Sequence, residues 1–267
     1  MTAYDVYAIK YAERDARRPE HFIGGDPHDV AMSMDYFVWA IVGDSKTFVV
    51  DTGFGTEDAV ARGRRLLRRA PEALAMVGVD VAAIDDVILT HLHYDHAGGI
   101  DLFGHSRFHV QDREMAFATG RHMTTADQRQ AYTAGHVARL VEAVHDDRVV
   151  FHDGDAELAS DLSVHLLGGH TDGLQAVRVR THGGWVVLAS DATHYYENME
   201  ATRPFPIVFD VDTMIAGYDV LRGLVGADGV IVPGHDPRVF ERHPPADPAL
   251  SGIAVRLDPV SASGPRP

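Results

Sequence analysis

The stretch ILTHLHYDHAGGI, residues 88–100, places three histidines and an aspartate between His91 and His96, behind a short apolar run and ahead of two glycines. On an extended segment residues two apart point the same way, so His91, His93 and Asp95 are expected to share one side of a strand end, while His96 requires the chain to turn. Ala97, Gly98 and Gly99 supply that turn with little side-chain bulk. Two sets of ligands then leave one short loop in different directions, which suits two metal ions better than one. A solvated polar loop is the plainer reading. Three imidazoles and a carboxylate at the end of an apolar strand weigh against it.

Other parts of the chain repeat the pattern. LLGGHTDG places His170 after a strand and two glycines, WVVLASDA ends on Asp191 and its neighbour, and VIVPGHDP carries His235. Four apolar strands therefore end in metal-type side chains, and strand ends are where function gathers in α/β architectures. The remaining histidines read as surface, core or loop residues, with His21 and His28 set apart because they lie in a long loop. Cysteine is absent, so any metal site is built from nitrogen and oxygen, and thiol nucleophiles and disulfides are excluded.

The segments YDVYAIKYA (4–12), YFVWAIVG (36–43) and KTFVVDTG (46–53) read as strands, as do DDVILT, RFHVQ, DRVVF, LSVHLLGG, LQAVRVR, GWVVLASD and GVIVPGHD. Residues 57–76 suit a helix with a basic stripe and Pro71 as its weak point, and further helices are expected over about 125–144 and 213–225. The stretch 17–35, rich in Gly, Pro and His, has no clean period. Loops of that length inside a domain are more often functional than idle. Strands in both halves, with no Gly/Ser-rich linker between them, predict an α/β fold in which residues 1–267 form one domain of two packed sheets with external helices. The tail from about 248, ending SASGPRP, is expected to be flexible.

A formal net charge of -15 provides no basic tract for a phosphate backbone, so nucleic acid is not an expected partner. Neither a signal-peptide h-region nor a membrane-length apolar run is legible, which makes a cytoplasmic location the expectation and a membrane partner unexpected.

HLHYDH, with His170, Asp191 and His235, resembles the metallo-β-lactamase superfamily over nearly the whole span from DTG at 51–53 to GHD at 234–236. The resemblance implies a four-layered αβ/βα sandwich with a dinuclear site at one edge of the sheets. It also implies that His91, His93 and His170 hold a first metal, that Asp95, His96 and His235 hold a second, and that Asp191 bridges them. Asp51 of VVDTG would support the motif loop from behind, although an Asx-type turn cap explains it equally well. Zinc is the expected ion, and manganese, cobalt and iron suit the same donors.

Within that fold HLHYDHAGG, GGHTDG and DATHYYEN are similar to the N-acyl homoserine lactonase group of quorum-quenching enzymes. The similarity implies that a bridging hydroxide opens a lactone, with Asp95 passing a proton to the leaving alkoxide. Such enzymes place Phe or Tyr within the motif, here Tyr94, and a tyrosine three residues beyond the bridging aspartate. This sequence has His194 there, followed by Tyr195; either is a candidate to steady the oxyanion, and an imidazole at that place could also titrate near pH 7. The departure puts acyl homoserine lactone itself in doubt and leaves a small aromatic lactone as the other substrate.

Phe22, Ile23, Met32, Met34 and Tyr36 of the long loop are candidates for an apolar pocket wall, with a sheet cover or a homodimer contact as the alternative. Arg121 and Arg203 are candidates to recognise a carboxylate. Two other functions compete. A glyoxalase II-like thioester hydrolase would use the same metals but normally adds a helical C-terminal domain for which the chain has no room; a non-catalytic metal-stabilised binding protein would tolerate loss of a second-metal ligand.

Overall fold

In the computed structural model, which describes residues 3–259, alternate side chains of the YFVWAI run enter two different cores. Tyr36, Val38 and Ala40 turn one way, Phe37, Trp39 and Ile41 the other. That is the two-residue period of a strand buried on both faces, and it generates the layers of the molecule.

One sheet is built from β1 (Asp5–Arg14), β2 (Met34–Val42), β3 (Thr47–Val50), β4 (Arg65–Leu66), β5 (Asp86–Ile88), β6 (Arg107–Gln111) and β7 (Val149–His152). The other contains β8 (Ala156–Ala159), β9 (Leu162–Leu166), β10 (Gln175–Arg180), β11 (Trp185–Ser190) and β12 (Val230–Pro233), and β13 (Ala254–Arg256) returns to the first. The first sheet runs β13-β1-β2-β3-β5-β6-β7 with β4 on β1, and the second runs β12-β11-β10-β9-β8. Val6, Trp39 and Phe48 of the first sheet meet Val177, Val186 and Leu188 of the second in the core between them. Outside the first sheet, Val49 shares a core with Leu74 and with Leu140 of the helix Ala134–His145. Outside the second, Val187 and Ala189 pack with Met214, Tyr218 and Leu221 of the helix Val211–Val225. Helix, sheet, sheet and helix are therefore stacked as the αβ/βα sandwich that the sequence predicts. Each fully buried aliphatic or aromatic side chain in these cores contributes about 1.5–3 kcal/mol through burial.

Three expectations change. Residues 57–76 are two short helices, Thr56–Arg62 and Ala70–Ala75, with β4 between them. The break is at Gly63, which takes φ 62 and caps the first helix in the left-handed region. Pro71 sits in the first turn of the second helix, where its missing N–H costs nothing. The helix expected over 125–144 is likewise divided into Ala126–Arg129 and Ala134–His145. Over residues 248–259 the chain is not a loose tail: Ile9 pairs with Ala254 and Tyr7 with Arg256, and Val255 and Leu257 are buried. These apolar residues cover what would otherwise be an open edge of β1. Residues 260–267, including SASGPRP, lie outside the described part. Among the described residues no helix is long and apolar enough to cross a membrane.

Candidate metal centre

The sequence motif begins where β5 stops. The ladder ends at Ile88, Asp51 just past β3 donates its backbone N–H to the Ile88 carbonyl at 2.9 Å, and residues 94–97 form a short helical turn. Asp95 and His96 therefore leave together from that turn, and the strand-like alternation expected over 91–95 does not extend that far. Gly98 and Gly99 are needed for closeness and not for an unusual backbone angle. A Cβ on Gly99 would lie 2.4 Å from the Thr52 carbonyl oxygen, and one on Gly98 would lie 2.5 Å from that of Tyr94.

Four strand ends converge on one buried cluster. His91, His93 and His170 bring donor atoms within 4.8 Å of one another, as do Asp95, His96 and His235, and as do His91, His96 and Asp191. Asp191 stands between the first two groups. Its Oδ2 is 3.3 Å from His170 Nε2 and 3.3 Å from His235 Nε2, and its Oδ1 is 3.4 Å from His96 Nε2. His194 joins them, with Nε2 3.0 Å from Asp191 Oδ2 and its ring stacked 3.4 Å from that of Phe205.

The imidazoles are aimed from behind. His96 Nδ1 donates to Asp51 Oδ2 at 2.7 Å, His170 Nδ1 to the Ile207 carbonyl at 2.7 Å, and His235 Nδ1 to the Asp35 carbonyl at 2.8 Å. Each such bond fixes the tautomer and leaves the Nε2 lone pair facing the centre. His91 Nε2, His96 Nε2 and Asp191 Oδ1 are buried and have no hydrogen-bond partner. Buried polar atoms without partners are rare in proteins, and here they face one another. A nitrogen and oxygen donor set with lone pairs converging in two groups about a shared carboxylate fits a pair of divalent ions.

The electrostatics agree. Burial and the neighbouring imidazoles hold His91 and His93 well below the ordinary histidine pKa, in the neutral form that coordinates metals. Burial works against the cations of His96 and His235 as well, but the carboxylates of Asp191 and Asp95 override it and raise both, with Asp51 adding to the effect at His96. Burial also opposes the Asp191 carboxylate, yet His235, His96 and His194 keep it ionised. The field that favours protons on His96 and His235 is the field in which a divalent ion would replace them. His194 is different: burial pushes it down to about 3, so it is a neutral hydrogen-bonding ring and does not titrate near pH 7.

Asp51 hydrogen-bonds to His96 and Thr90 behind the motif loop, in a network that the sequence did not reveal. Its Oδ1 accepts from Thr90 N and its Oδ2 from Thr90 Oγ1, both at 2.8 Å, and Thr90 Oγ1 lies 2.9 Å from Ser190 Oγ in the opposite sheet. Asp51 and Ser190 both adopt positive φ, 61 and 46, a strained backbone typical of functional sites. Glu114 is the second unforeseen member. Fully buried, it accepts from Leu92 N and Tyr132 Oη at 2.9 Å each, from Thr171 Oγ1 at 2.6 Å and from Gly173 N at 3.2 Å. It thereby ties the loop of His91 and His93 to the loop of His170. The one available sign was an acidic residue in a helix start, which is ordinary.

Beside the cluster lies a cavity lined by His93, Asp95, His170, Asp191, His194 and His235, with Met34, Tyr36, Tyr94, Phe205, Pro206 and Ile207 as its apolar wall. Of the expected substrate contacts, Met34, Tyr36 and Tyr94 are there. Phe22 is buried elsewhere beneath Arg203 and Arg18, Ile23 faces solvent, and Met32 packs against the core beside Arg18. These three follow the 17–35 loop away from the cavity because its 3-10 turn, Arg18–His21, and the Arg17–Ala31 bridge fold it back on itself. Tyr195 is also turned away, donating to the Ser33 carbonyl at 3.0 Å beside His21, so it does not supply the oxyanion donor. His21 reaches the cavity, whereas His28 is exposed. Arg203 is engaged by Asp26 at 2.8 Å and Glu197 at 3.0 Å, and Arg121 is exposed, so neither lines the cavity; Arg14 and Arg64 do. Met34→Ala is accordingly expected to change kcat/KM unequally among lactones, by roughly fourfold for each methylene of the substrate that no longer meets the cavity wall. Met32→Ala is expected to leave their ranking unchanged. Steady-state kinetics on a lactone panel check both, and the reverse pattern overturns the cavity assignment.

Residues 34–238 match the family model described as the metallo-beta-lactamase superfamily. A probable metallo-hydrolase of Mycobacterium tuberculosis is 26% identical over 235 residues, covering 74% of this chain and 73% of that protein. The N-acyl homoserine lactonase AiiB of Agrobacterium fabrum is 34% identical over 132 residues, 48% of this chain and 47% of that protein. Among solved structures, an N-acyl homoserine lactone hydrolase with the product N-hexanoyl-L-homoserine at its catalytic metal centre superposes with a TM-score of 0.77 at 22% identity, covering 91% of this chain and 97% of the other. At that identity the superposition speaks for the fold.

Proposed function

The chain belongs to the metallo-beta-lactamase superfamily, and from that premise we propose that it is a single-domain, dinuclear-metal-dependent hydrolase that opens the ring of a small lactone. The observation that carries the proposal is the convergence of the unpartnered His91 Nε2, His96 Nε2 and Asp191 Oδ1 beside an apolar-walled cavity. His91, His93 and His170 would hold one ion, Asp95, His96 and His235 the other, with Asp191 between them. Two divalent ions, zinc being our choice, supply when bound a hydroxide near neutral pH and a positive field for the carbonyl oxygen.

The chain's own residues do the rest. Met34, Tyr36, Phe205 and Ile207 exclude water and hold the ring. His194, neutral at pH 7 and fixed by its stack on Phe205, gives its Nε2–H to Asp191 Oδ2 at 3.0 Å, and would turn that donor to the developing oxyanion once the ions take up the carboxylate. As water adds and the ring C–O bond breaks, Asp95 carries a proton to the leaving alkoxide, giving the hydroxy acid. The lactonase relatives support the reaction type. The imidazole-rich donor set fits zinc, and the exposed Ile23 and Val30 of the 17–35 loop support a homodimer. A cytoplasmic location belongs to the same proposal.

The test is turnover of metal-loaded protein on acyl homoserine lactones, simple γ- and δ-lactones, aromatic lactones and thioesters. Preference for thioesters, or no turnover, overturns the reading. His194→Ala is expected to lower kcat roughly 10- to 100-fold with metal content unchanged, less than loss of a sole oxyanion donor because the ions polarise the same oxygen. Native kcat and kcat/KM in that variant would remove His194 from the account.

A further inference from the structure

We propose that the cavity recognises a carboxylate carried by the substrate away from the scissile ester, and that the guanidinium of Arg64 is the group that reads it. The proposal rests on the lactone-hydrolase reading and narrows its substrate class to acidic lactones. Outside the His/Asp cluster, the charges that line the cavity wall are Arg14, Arg64 and Glu20. Arg14 is already paired with Glu20. Arg64 forms no ion pair with a carboxylate among the described residues.

Arg64 is nonetheless held in place. Its Nε donates to Tyr94 Oη at 3.0 Å and its Nη1 to the Arg62 carbonyl at 2.6 Å, while no hydrogen bond to its Nη2 is formed among the described residues. Two bonds thus fix the plane of a half-buried guanidinium and leave one edge free to donate. Half-burying a cation without an anionic partner is unfavourable, and a planar fork with a free edge suits a carboxylate better than any neutral group. Gly63 ends the preceding helix in the left-handed region, and Arg64 then turns inward from the connection to β4. From Arg64 a line of contacts leads to the metal cluster: Tyr94 Oη lies 3.5 Å from Tyr36 Oη, and the Tyr36 ring lies 4.9 Å from that of His235. A substrate held by Arg64 at one end therefore lies along two aromatic side chains with its ester towards the cluster. An acyl homoserine lactone, whose tail is an amide and a hydrocarbon, offers nothing that needs a cation there.

The test uses the metal-loaded full chain and pairs of lactones of equal size that bear a tail carboxylate or the matching carboxamide. The wild type is expected to have the higher kcat/KM on the carboxylate. Arg64→Gln is expected to reduce the carboxylate-to-carboxamide ratio roughly 10- to 100-fold, mainly through KM. Arg64→Lys is expected to retain part of the preference, since charge remains while the fork is lost. Calorimetric titration with the ring-opened products of the same pair reads binding without turnover. If carboxamides are hydrolysed as well as carboxylates and Arg64→Gln leaves the ratio unchanged, the Arg64 proposal falls while the lactonase reading stands. If no member of any pair is hydrolysed, the lactonase reading falls, and the titrations decide Arg64: equal binding of the acid by wild type and Arg64→Gln overturns it, and weaker binding by the variant supports it.

Discussion

Asp191→Ala is expected to lower kcat/KM by roughly 10³-fold, within the range lost with a positioned catalytic group, and to reduce the metal held per chain. Asp191 stands between the two halves of the centre and reaches both. Its two oxygens lie within 3.4 Å of His96, His170, His194 and His235. Asp191→Asn keeps the shape and removes the charge, so it separates geometry from electrostatics. The metal-free protein supplies an independent readout. Burial disfavours the His96 and His235 cations, and the Asp191 carboxylate is the strongest of the influences that raise them. Removing it should lower the pKa of both rings, shifting their titration in NMR spectra towards acid. Unchanged metal content, turnover and histidine titration in both variants would sink the central place given to Asp191.

What was legible in the sequence had a local signature. His91, His93, Asp95 and His96 stand within one loop, and His170, Asp191 and His235 each follow an apolar run that ends abruptly, so their convergence follows once the strands are laid side by side. The apolar run from Tyr36 to Ile41 likewise reads as a strand, while the division of its side chains between two cores emerges only in the structure. The illegible parts depend on contacts between distant segments. Gly63 ends a helix that composition would continue, and only the resulting turn brings Arg64 to the cavity. Met32 and Met34 are alike in the sequence, but Met34 opens β2 and faces the cavity while Met32 precedes the strand and packs beside Arg18. β13 was missed because three residues carry little pattern; its partner edge on β1 is what makes it a strand. Arg203 looked available because one of its two partners, Asp26, stands far away in the chain.

The second large effect is expected at Glu114, a residue that touches neither substrate nor metal in this account. It joins Leu92 N, between two of the expected ligands, to Thr171 and Gly173, just beyond a third. Gly173 must be glycine for this approach, since a Cβ there would lie 2.0 Å from Glu114 N. Glu114→Ala leaves four buried donors without their acceptor, and at about 1–3 kcal/mol for each unsatisfied group the variant is expected to unfold at markedly lower temperature. Glu114→Gln is the more informative change. A carboxamide oxygen still satisfies two donors, but its NH2 then faces the other two in either flip, so one of the two loops is released while the fold survives. If Glu114 positions the ligands, the glutamine variant should lose metal to a chelator at about tenfold or more lower concentration, in the range seen when groups behind a ligand are removed, and kcat should fall more than KM changes. Thermal unfolding of the metal-free variant, measured alongside, reports the purely structural share. Lower stability with native metal affinity and native kcat would leave Glu114 a packing residue and transfer the alignment of His93 and His170 to the Ile207 carbonyl and the ring of Tyr132, which lies 4.5 Å from that of His93.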